Sequence, residues 1–464
     1  MKFIVLNGSP KGDTSVTMQY IRFLQTNFKQ HQIEIINISK GLKRIEKENG
    51  TFQEIMNQVN DSDGVIWAFP LYVFTVHSNY QRFIELIFER NAQAAFKGKY
   101  TFVLTTSIHF FDNTAINYVH SICDDLHMNY VDCFSPKMYD LTKEETRKSL
   151  INFMQNFIQN IENKVSTFRC FDHVVYNPIQ YSPETPRNKI DNTGKKVVIV
   201  VDSLEDNNLK NMVSRFRDSF AVDTELLYIN DFGMKGSCLG CMRCGYDYTC
   251  AYEGKDNYSF VYNSKLKTAD IIVFAGAIKN RFLSAEWKQF IDRGFFNTHT
   301  PSLTGKQFGF ILSGALNQIQ NIREVFDGFV QWQCSNLVGF VTDEYNSSQE
   351  IDDRIDALSA NLINLSRKEY IKPINFLGEG GRTIFRDNIW GDIRFPFVAD
   401  HKAYKKQKVY DFPQKNIRVR VQNAIFLLMI KIPSFRKEIY KNRMLPTMIQ
   451  PFEKYVQDKT ESVD

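Results

Sequence analysis

Long hydrophobic runs are missing from this sequence. The longest, Ala424–Ile430, is far shorter than the roughly 20 apolar residues that a transmembrane helix needs. The N-terminus, Met1–Gly8, carries one lysine and a short apolar run, without the longer stretch and small-residue cleavage site of a signal peptide. We therefore interpret the N-terminus as a buried strand, and we expect no transmembrane segment and a cytoplasmic location.

Strong charge of either sign is also missing. The net charge is only +5 over 464 residues, without a basic stripe or a nucleic-acid motif, so no nucleic-acid partner is expected. The hydrophobic and charged fractions, 43% and 23%, are those of an ordinary soluble globular protein. Because the chain is too long for a single hydrophobic core, two domains with an appendage are the expected organisation.

Short apolar segments alternate with amphipathic segments through the first 165 residues. This alternation predicts a parallel sheet that is covered by helices on both faces. The predicted strands are Phe3–Asn7, Ile33–Ile38, Gly64–Tyr72, Tyr100–Ser107 and Asn129–Met138. The predicted helices are Val16–Phe28, Asn79–Glu89, Ala115–Leu126 and Lys143–Ile161.

The same pattern starts again at residue 195. Its predicted strands are Lys195–Asp202, Thr224–Ile229, Asp270–Ile278, Gln307–Gly314 and Asn336–Thr342. Local similarity supports a duplication, because Asp63–Pro70 corresponds to Asp270–Ala277 and Arg82–Glu85 corresponds to Gln289–Asp292. We therefore predict two copies of one α/β domain at residues 1–165 and 195–367, an aperiodic linker at 166–194, and a C-terminal extension at 368–464.

The first predicted strand runs into Gly8–Thr17, a turn rich in small polar residues that leads into a helix. Gly8 permits a tight turn, and backbone N–H groups at the start of a helix favour an anion. With the expected strand order 2-1-3-4-5, this loop lies at the switch point where such sheets bind ligands. The loop lacks the ending of a P-loop and the three spaced glycines of a dinucleotide fingerprint. It predicts an anion site, with an ordinary turn and its helix caps as the alternative.

The segments Asn7–Thr17 and Pro70–Val73 resemble the NADPH-dependent FMN reductase family, which has the flavodoxin-like fold. The resemblance implies two tandem flavodoxin-like, doubly wound parallel five-stranded sheets with FMN as cofactor. It also implies that the first loop holds the FMN phosphate and that the loops after strands three and four border the isoalloxazine ring. These roles would fall to Ser9, Lys11, Ser15, Val16 and Thr17, to Pro70, Leu71, Tyr72 and Val73, and to Ser107, Ile108 and His109. For His109, a satisfied loop histidine is the expectation rather than a proton donor.

Four of the eight cysteines form the pattern C-x2-C-x2-C-x5-C at Cys238, Cys241, Cys244 and Cys250. In a reducing compartment, clustered thiols indicate metal or redox chemistry sooner than disulfides, and thiolates are the ligands of iron–sulfur clusters. The spacing is similar to that of iron–sulfur flavoproteins, a branch of the same family, which implies a [4Fe–4S] cluster. A cluster-free loop near the flavin and a zinc site are the alternatives. We expect the isolated cysteines to be buried, namely Cys123, Cys133, Cys170 and Cys334.

The two predicted domains have lost opposite features. The first keeps the predicted phosphate-binding loop Gly8–Thr17, called the phosphate loop below. Its segment Lys40–Lys47, which corresponds to the cysteine segment, has no thiol. The second keeps the cysteines, but its first loop contains Asp202, Glu205 and Asp206, which would repel a phosphate. Our hypothesis is one FMN per chain, with the second domain as an internal pseudo-dimer partner that brings its cysteines towards the flavin. A degenerate scaffold is the alternative for the second domain.

The C-terminal extension mixes basic and aromatic residues. Val421–Ile430 and the basic residues after it could form an amphipathic helix at a membrane surface. Docking on the protein's own core is more common for such a segment, and this is our expectation.

The resemblance implies an oxidoreductase that passes electrons from NAD(P)H or a protein donor, through FMN, to a small-molecule or protein acceptor. The flavin would supply the chemistry while the protein orients and tunes it. An electron carrier between two proteins is the main alternative, and a flavin-bound regulatory or scaffold protein is the other. The sequence shows no recognisable nicotinamide site, so NAD(P)H rests on the resemblance.

Overall fold

The computed structural model describes residues 1–456, which contain two parallel five-stranded sheets. The first sheet is formed by β1 (Lys2–Asn7), β2 (Gln32–Asn37), β3 (Gly64–Pro70), β4 (Tyr100–Thr106) and β5 (Asn129–Phe134). Its helices are α1 (Val16–Asn27), α2 (Ile38–Lys47), α3 (Asn49–Asn60), α4 (Ser78–Glu89), α5 (Asp112–Asp125) and α6 (Glu144–Glu162). The strand order β2-β1-β3-β4-β5 confirms the predicted flavodoxin-like topology.

The second sheet repeats this architecture with β6 (Val197–Val201), β7 (Glu225–Tyr228), β8 (Ile271–Ala277), β9 (Gln307–Ser313) and β10 (Asn336–Thr342). Its order, β7-β6-β8-β9-β10, is that of the first sheet, so the predicted duplication is confirmed. The helices of this half are α7 (Asn207–Asp218), α8 (Tyr258–Val261), α9 (Ala285–Arg293), α10 (Gln320–Trp332) and α11 (Ser348–Arg367). The central strands are buried along their whole length, as parallel strands between two helical layers must be.

Several local predictions differ from the structure; the fifth strand, for example, ends at Phe134 rather than Met138, and Cys133 is only partly buried. The third strand ends at Pro70 rather than Tyr72, because Tyr72 and Thr75 exchange backbone hydrogen bonds of 2.9 and 2.8 Å and close a turn. Helices α2 and α3 were not predicted. Cys170 and Cys334 were expected to be buried but are exposed, since Cys170 lies in the linker and Cys334 occupies the left-handed turn after α10 with φ of 54°.

The two halves pack against each other through α4 and α9 with approximate twofold symmetry. The backbone N–H of Ser78 donates to the Asp292 carboxylate at 2.8 Å, and the backbone N–H of Ala285 donates to the Glu85 carboxylate at 2.6 Å. Ser78 corresponds to Ala285 and Glu85 to Asp292 in the two copies, so the same contact occurs twice with its partners exchanged. This reciprocity is the pattern of an isologous dimer interface, here within a single chain.

Further contacts of both kinds extend this interface. Arg281 of the second half holds Asp125 of the first through two nitrogens at 2.7 and 2.6 Å. Phe74 packs its ring against Phe329 and Trp332 at centroid distances of 6.2 and 6.3 Å. The predicted internal pseudo-dimer is therefore present as a mixed polar and aromatic interface.

The segment 166–194 contains neither helix nor strand in the described chain, apart from one β-bridge at Ile190. It follows the carboxyl edge of the second sheet, where the Tyr176 hydroxyl donates to Asp343 and lies 3.2 Å from Ser313 Oγ. Further along, the buried Tyr181 hydroxyl donates to Asp352 at 2.6 Å. The linker therefore covers the edge of the second sheet at which a flavodoxin-like sheet binds its ligand.

Helix α12 (Phe376–Trp390) and the start of α13 (Val398–Lys406) pack on the second half, and α12 also contacts Phe110 of the first half. The Phe385 ring lies 4.6 Å from the His299 ring and 4.2 Å from the Phe110 ring. The fully buried Asp400 carboxylate accepts a hydrogen bond from His299 Nδ1 at 2.8 Å. This part of the extension therefore packs on the duplicated domains through aromatic and buried polar contacts.

Residues 404–456 belong to a second compact unit. Its helices are α14 (Ile417–Met429), α15 (Pro433–Glu438) and α16 (Met444–Val456). Every residue of α14 is exposed, and the expectation that Val421–Ile430 docks on the protein's own core stays a prediction. Among residues 1–456, no helix combines the length and hydropathy that crossing a bilayer requires.

Candidate active site

The loop between β1 and α1 makes a tight turn beside the switch point of the first sheet. The turn is at Gly12, which has φ of +60°, and not at Gly8 as predicted. Gly8 is required for another reason, since a Cβ there would lie 2.8 Å from Phe69 Cβ and 2.9 Å from the Tyr80 ring. The β1 end of the loop is therefore held close to β3 and α4.

Most polar groups of this loop hold one another. The backbone N–H of Ser9 donates to Asn7 Oδ1 at 2.9 Å, and that of Lys11 donates to Ser9 Oγ at 3.2 Å. Ser15 caps α1 by accepting from the Met18 N–H at 3.3 Å. In the described chain, the backbone N–H groups of Val16 and Thr17 have no acceptor. The first turn of α1 thus offers two free donors and contains no acidic residue, which suits a phosphate.

Two lysines lie at the loop, and the sequence indicated one of them. Lys11 belongs to the loop itself, whereas Lys40 approaches from the helix after β2, with its Cδ 2.8 Å from where a Gly12 Cβ would be. The carboxylate of Asp13 is engaged by Asn37 Nδ2 at 3.3 and 3.4 Å. Asn37 and Lys40 were not predicted from the sequence, because they lie on β2 and the helix after it, far from the loop in sequence. The available signal was that β1 and β2 both end in an asparagine, Asn7 and Asn37, whose side chains are hydrogen-bonded in the structure.

The loop after β3 contains the predicted Pro70, Leu71, Tyr72 and Val73. The ring of Tyr72 meets the ring of His77 edge-on, with centroids 4.7 Å apart. His77 is fully buried, and its Nδ1 accepts a hydrogen bond from the Asn79 N–H at 3.1 Å. In a neutral imidazole the other nitrogen, Nε2, then carries the proton and acts as a donor. Burial lowers the pKa of the His77 imidazole, in agreement with a neutral ring.

The loop after β4 places Ser107, Ile108 and His109 next to the phosphate loop, because Thr106 Oγ1 lies 2.7 Å from Thr17 Oγ1. The backbone N–H of His109 donates to Ser107 Oγ at 2.8 Å, and its Nδ1 lies 2.9 Å from the Asp112 carboxylate. This hydrogen bond raises the pKa of His109. His109 is therefore a paired loop histidine.

The cysteine segment of the second half reaches these loops of the first half. His77 Nε2 donates to the Cys238 carbonyl at 2.8 Å, and Ser237 Oγ donates to Asn79 Oδ1 at 2.7 Å. Gly240, with φ of +60°, lies directly against the Tyr72 hydroxyl, and a Cβ there would lie 3.3 Å from Lys11 Cε. Residues from both halves thus surround the predicted flavin site.

The predicted ligand cysteines line one small cavity together with Tyr252, Arg293 and Phe295. Arg293 is buried, pairs with Asp256 at 2.8 Å, and has a guanidinium nitrogen 4.0 Å from Cys250 Sγ. Burial raises the pKa of both the Cys238 and the Cys244 thiol to about 12. Within residues 1–456, no group of three or more His, Cys, Asp or Glu side chains is arranged to hold a metal ion.

A fully buried ion pair, which was not predicted from the sequence, lies next to the loop after β3. Lys288 Nζ binds the Asp292 carboxylate and also donates to the Tyr72 carbonyl at 3.3 Å. Burial lowers the pKa of Lys288, while the charge of Asp292 opposes this shift. The pair connects the interface helix α9 to the loop after β3.

A polar cleft of about 640 Å³ opens between the halves beside the phosphate loop. Its walls come from α2 and α4 of the first half and from residues 229–239 and α9 of the second. Lys43 and Gln289 are among its polar lining residues, and Pro10 and Leu239 mark its boundary with the predicted flavin site. The cleft gives small polar molecules access to the boundary between the halves.

The corresponding loop of the second half is built differently. Asp202 accepts from Ser284 Oγ and from the Ser203 N–H at 2.9 Å, and burial raises its pKa. Asp206 caps α7 by accepting from the Leu209 N–H at 2.7 Å. The second half therefore has Asp202 directly after its first strand, where the first half has Gly8, and Asp206 as the helix cap, where the first half has Ser15.

The fold defines a duplicated flavodoxin-like protein, with loops of both halves meeting beside the switch point of the first sheet. The sequence profile of the NADPH-dependent FMN reductase family matches residues 1–134 and again residues 195–345. The chain belongs to this family, whose members are NAD(P)H-dependent flavin oxidoreductases.

Several solved structures are similar to part of the chain. The apo form of an NADH:FMN oxidoreductase (EMOB) is 20% identical, with a TM-score of 0.30, over 34% of this chain and 89% of that one. FerB, an NAD(P)H:(acceptor) oxidoreductase from Paracoccus denitrificans, is 17% identical, with a TM-score of 0.31, over 35% and 97%. An FMN-dependent NADH-azoreductase from Bacillus anthracis is 14% identical, with a TM-score of 0.26, over 36% and 100%. No curated protein matches this chain.

The contact between Gly240 and Tyr72 can be tested by substitution. Gly240→Ala adds both backbone strain at a positive φ and a clash with the Tyr72 hydroxyl, so we expect a loss of about 2–4 kcal/mol in the free energy of unfolding in urea. Gly254→Ala is the control, because Gly254 has φ of +71° and open space around it; it should lose only about 1 kcal/mol. Adding Tyr72→Phe to Gly240→Ala should restore part of the lost free energy of unfolding, because it removes the hydroxyl that the new Cβ would meet. Equal losses for the two glycine variants would contradict the packing of the cysteine segment against Tyr72.

Proposed function

We propose that this chain is an FMN-dependent NAD(P)H:acceptor oxidoreductase with one flavin, held by the first half and completed by the cysteine segment of the second. The observation that carries the proposal is the contact of Cys238 and Gly240 with the β1 and β3 loops of the first half. It supports a site to which both halves contribute.

The residues present fit an FMN phosphate. The free N–H groups of Val16 and Thr17 would bind its oxygens, and the ammonium groups of Lys11 and Lys40 would balance its charge. The buried hydroxyls of Ser9 and Ser15 hold the loop in shape through their own hydrogen bonds. When bound, FMN supplies the exchange of electrons with NAD(P)H and with an acceptor.

The ring loops would position the flavin and exclude water from it. Pro70–Val73 and Ser107–His109 follow adjacent strands and lie on either side of the β3 and β4 ends. Tyr72 is held by His77 on one side and by Gly240 on the other, so its orientation is fixed. His109 keeps a proton between its ring and Asp112 at the solvent edge.

Two observations support a single flavin per chain. Asp202 and Asp206 place carboxylates in the loop of the second half, where they would repel a phosphate. Tyr176 of the linker also binds Asp343 and Ser313 at the ligand-binding edge of the second sheet. The second half would then act as a partner domain rather than as a second flavin site.

We further propose that the four cysteines would hold a [4Fe–4S] cluster, which would supply an electron relay and would require the thiols to draw together from the positions they have in the described residues. The common cavity of Cys238, Cys241, Cys244 and Cys250 supports this. The buried Arg293 beside Cys250 would balance the negative charge of the thiolates. Since Cys238 lies against His77, the cluster would be next to the flavin loops.

Reduction by pyridine nucleotide tests the enzymatic activity. Under anaerobic conditions, we expect NADH or NADPH to bleach the flavin absorbance of the purified holoprotein, followed by reoxidation when a quinone or nitro compound is added. Dithionite is the control that shows the flavin to be reducible. If dithionite bleaches the flavin and neither nucleotide does, the chain is an electron carrier or a flavin-bound regulator instead.

The single-flavin proposal predicts about one FMN per chain after mild purification. Lys11→Glu reverses a charge on the exposed side of the phosphate loop, so it should weaken FMN binding about 10-fold or more in a fluorescence titration. Lys210→Glu, an equally exposed change in the first turn of α7, should leave FMN affinity unchanged. A flavin content near two, or a loss of affinity in the Lys210 variant, would contradict the proposal.

The cluster proposal predicts about four irons and equivalent acid-labile sulfide per chain after anaerobic purification. Cys244→Ser should lose most of the iron, whereas Cys334→Ser, at an isolated exposed cysteine, should keep it. FMN content serves as the folding control for both variants. Recovery of one zinc per chain without iron would support the zinc site. Absence of both iron and zinc would support a cluster-free loop.

A further inference from the structure

Helix α16 carries an exposed apolar stripe. Leu445, Met448 and Phe452 follow one another at helical spacing and are 71%, 63% and 60% exposed. Side chains at this spacing lie along one face of a helix, which in a water-soluble protein normally faces a core. In this unit the face is in contact with solvent.

The second half of helix α14 is exposed and apolar on more than one side. Ile425, Leu427 and Leu428 are 53%, 60% and 64% exposed, although consecutive residues point in different directions around a helix. A helix that is apolar around its circumference is found within a protein core or within lipid. Its 13 residues are too few to span a bilayer, so an interfacial position is the geometry that fits.

The same unit is strongly basic. Residues 404–456 contain twelve Lys and Arg but only three Asp and Glu, although the whole chain has a net charge of only +5. Several of the cations lie between the two apolar helices and are exposed, namely Lys431, Arg436, Lys437, Lys441 and Arg443. The apolar side chains are thus flanked by positive charge.

We propose that residues 404–456 bind the surface of an anionic lipid bilayer, with the apolar side chains of α14 and α16 at the boundary of headgroups and acyl chains. Such a surface accepts both exposed apolar groups and clustered cations. A second copy of the chain would cover the apolar faces but would bring like charges together, and a nucleic acid would pair the cations but leave the apolar faces in water. The inference rests on this unit alone and is independent of the flavin site.

Vesicle flotation of the full-length holoprotein tests the inference. We expect binding to vesicles of phosphatidylcholine with about one third phosphatidylserine, and at least about 10-fold weaker binding to phosphatidylcholine alone. Raising the salt concentration should weaken binding to the anionic vesicles, because screening reduces the electrostatic part. FMN content and far-ultraviolet circular dichroism report whether each variant is folded.

Two variants separate the charge from the apolar face. The fourfold variant Lys431→Gln, Arg436→Gln, Lys437→Gln, Lys441→Gln should lower the affinity for anionic vesicles about 100-fold or more. The double variant Leu445→Asp, Phe452→Asp should also lower the affinity for anionic vesicles about 100-fold or more, because it places charges within the apolar stripe of α16. The matched control is Phe168→Asp, which places a carboxylate at an equally exposed aromatic residue in the linker and should leave binding unchanged.

Three results would overturn the inference. Equal binding to neutral and anionic vesicles would contradict the role of the cations. Full binding by the Leu445 and Phe452 variant would contradict the role of the apolar face. Absence of vesicle binding by folded wild-type protein that sediments as a dimer would assign the apolar faces to a second copy.

Discussion

Two buried carboxylates determine how the halves of this chain fit together. Asp292 and Glu85 are 0% and 2% exposed, and each accepts a backbone N–H at the start of the other half's interface helix. A buried charge is tolerated only when it is paired and hydrogen-bonded. Lys288 provides the cation for Asp292, and Arg82 provides it for Glu85. The relative position of the halves is therefore set by contacts that few other arrangements would satisfy.

The symmetry of this interface relates two loops that differ in charge. The loop after β1 carries Lys11, whereas the loop after β6 carries the carboxylates of Asp202 and Asp206. The cysteine segment of the second half contacts the first half at His77 and Tyr72. These contacts exist only while the halves are packed together, so the duplicated chain has a composite surface that neither half has alone.

The sequence contained enough information for the topology and the loops, but not for the contacts between distant elements. Apolar alternation predicts the strands, and Gly8–Thr17 predicts the anion site, because these signals are local. Lys40 reaches the loop from the helix after β2, and Lys288 reaches Tyr72 from the other half; neither distance is encoded in the spacing of neighbouring residues. Tyr176 closes the edge of the second sheet from a linker whose composition predicts only irregular structure.

The buried Lys288–Asp292 pair also explains why the cysteine segment has a defined position. The pair holds the Tyr72 carbonyl and the start of α4, and the next residue before α4 is His77, which holds the Cys238 carbonyl. Both residues of the pair lie on α9, so the pair itself would survive a separation of the halves. Separation would instead remove its hydrogen bonds to the Ser78 N–H and to the Tyr72 carbonyl. A hydrogen bond to a charged group contributes about 1.5–3 kcal/mol, so these contacts hold the loop after β3 and the start of α4 in place beside the cysteine segment.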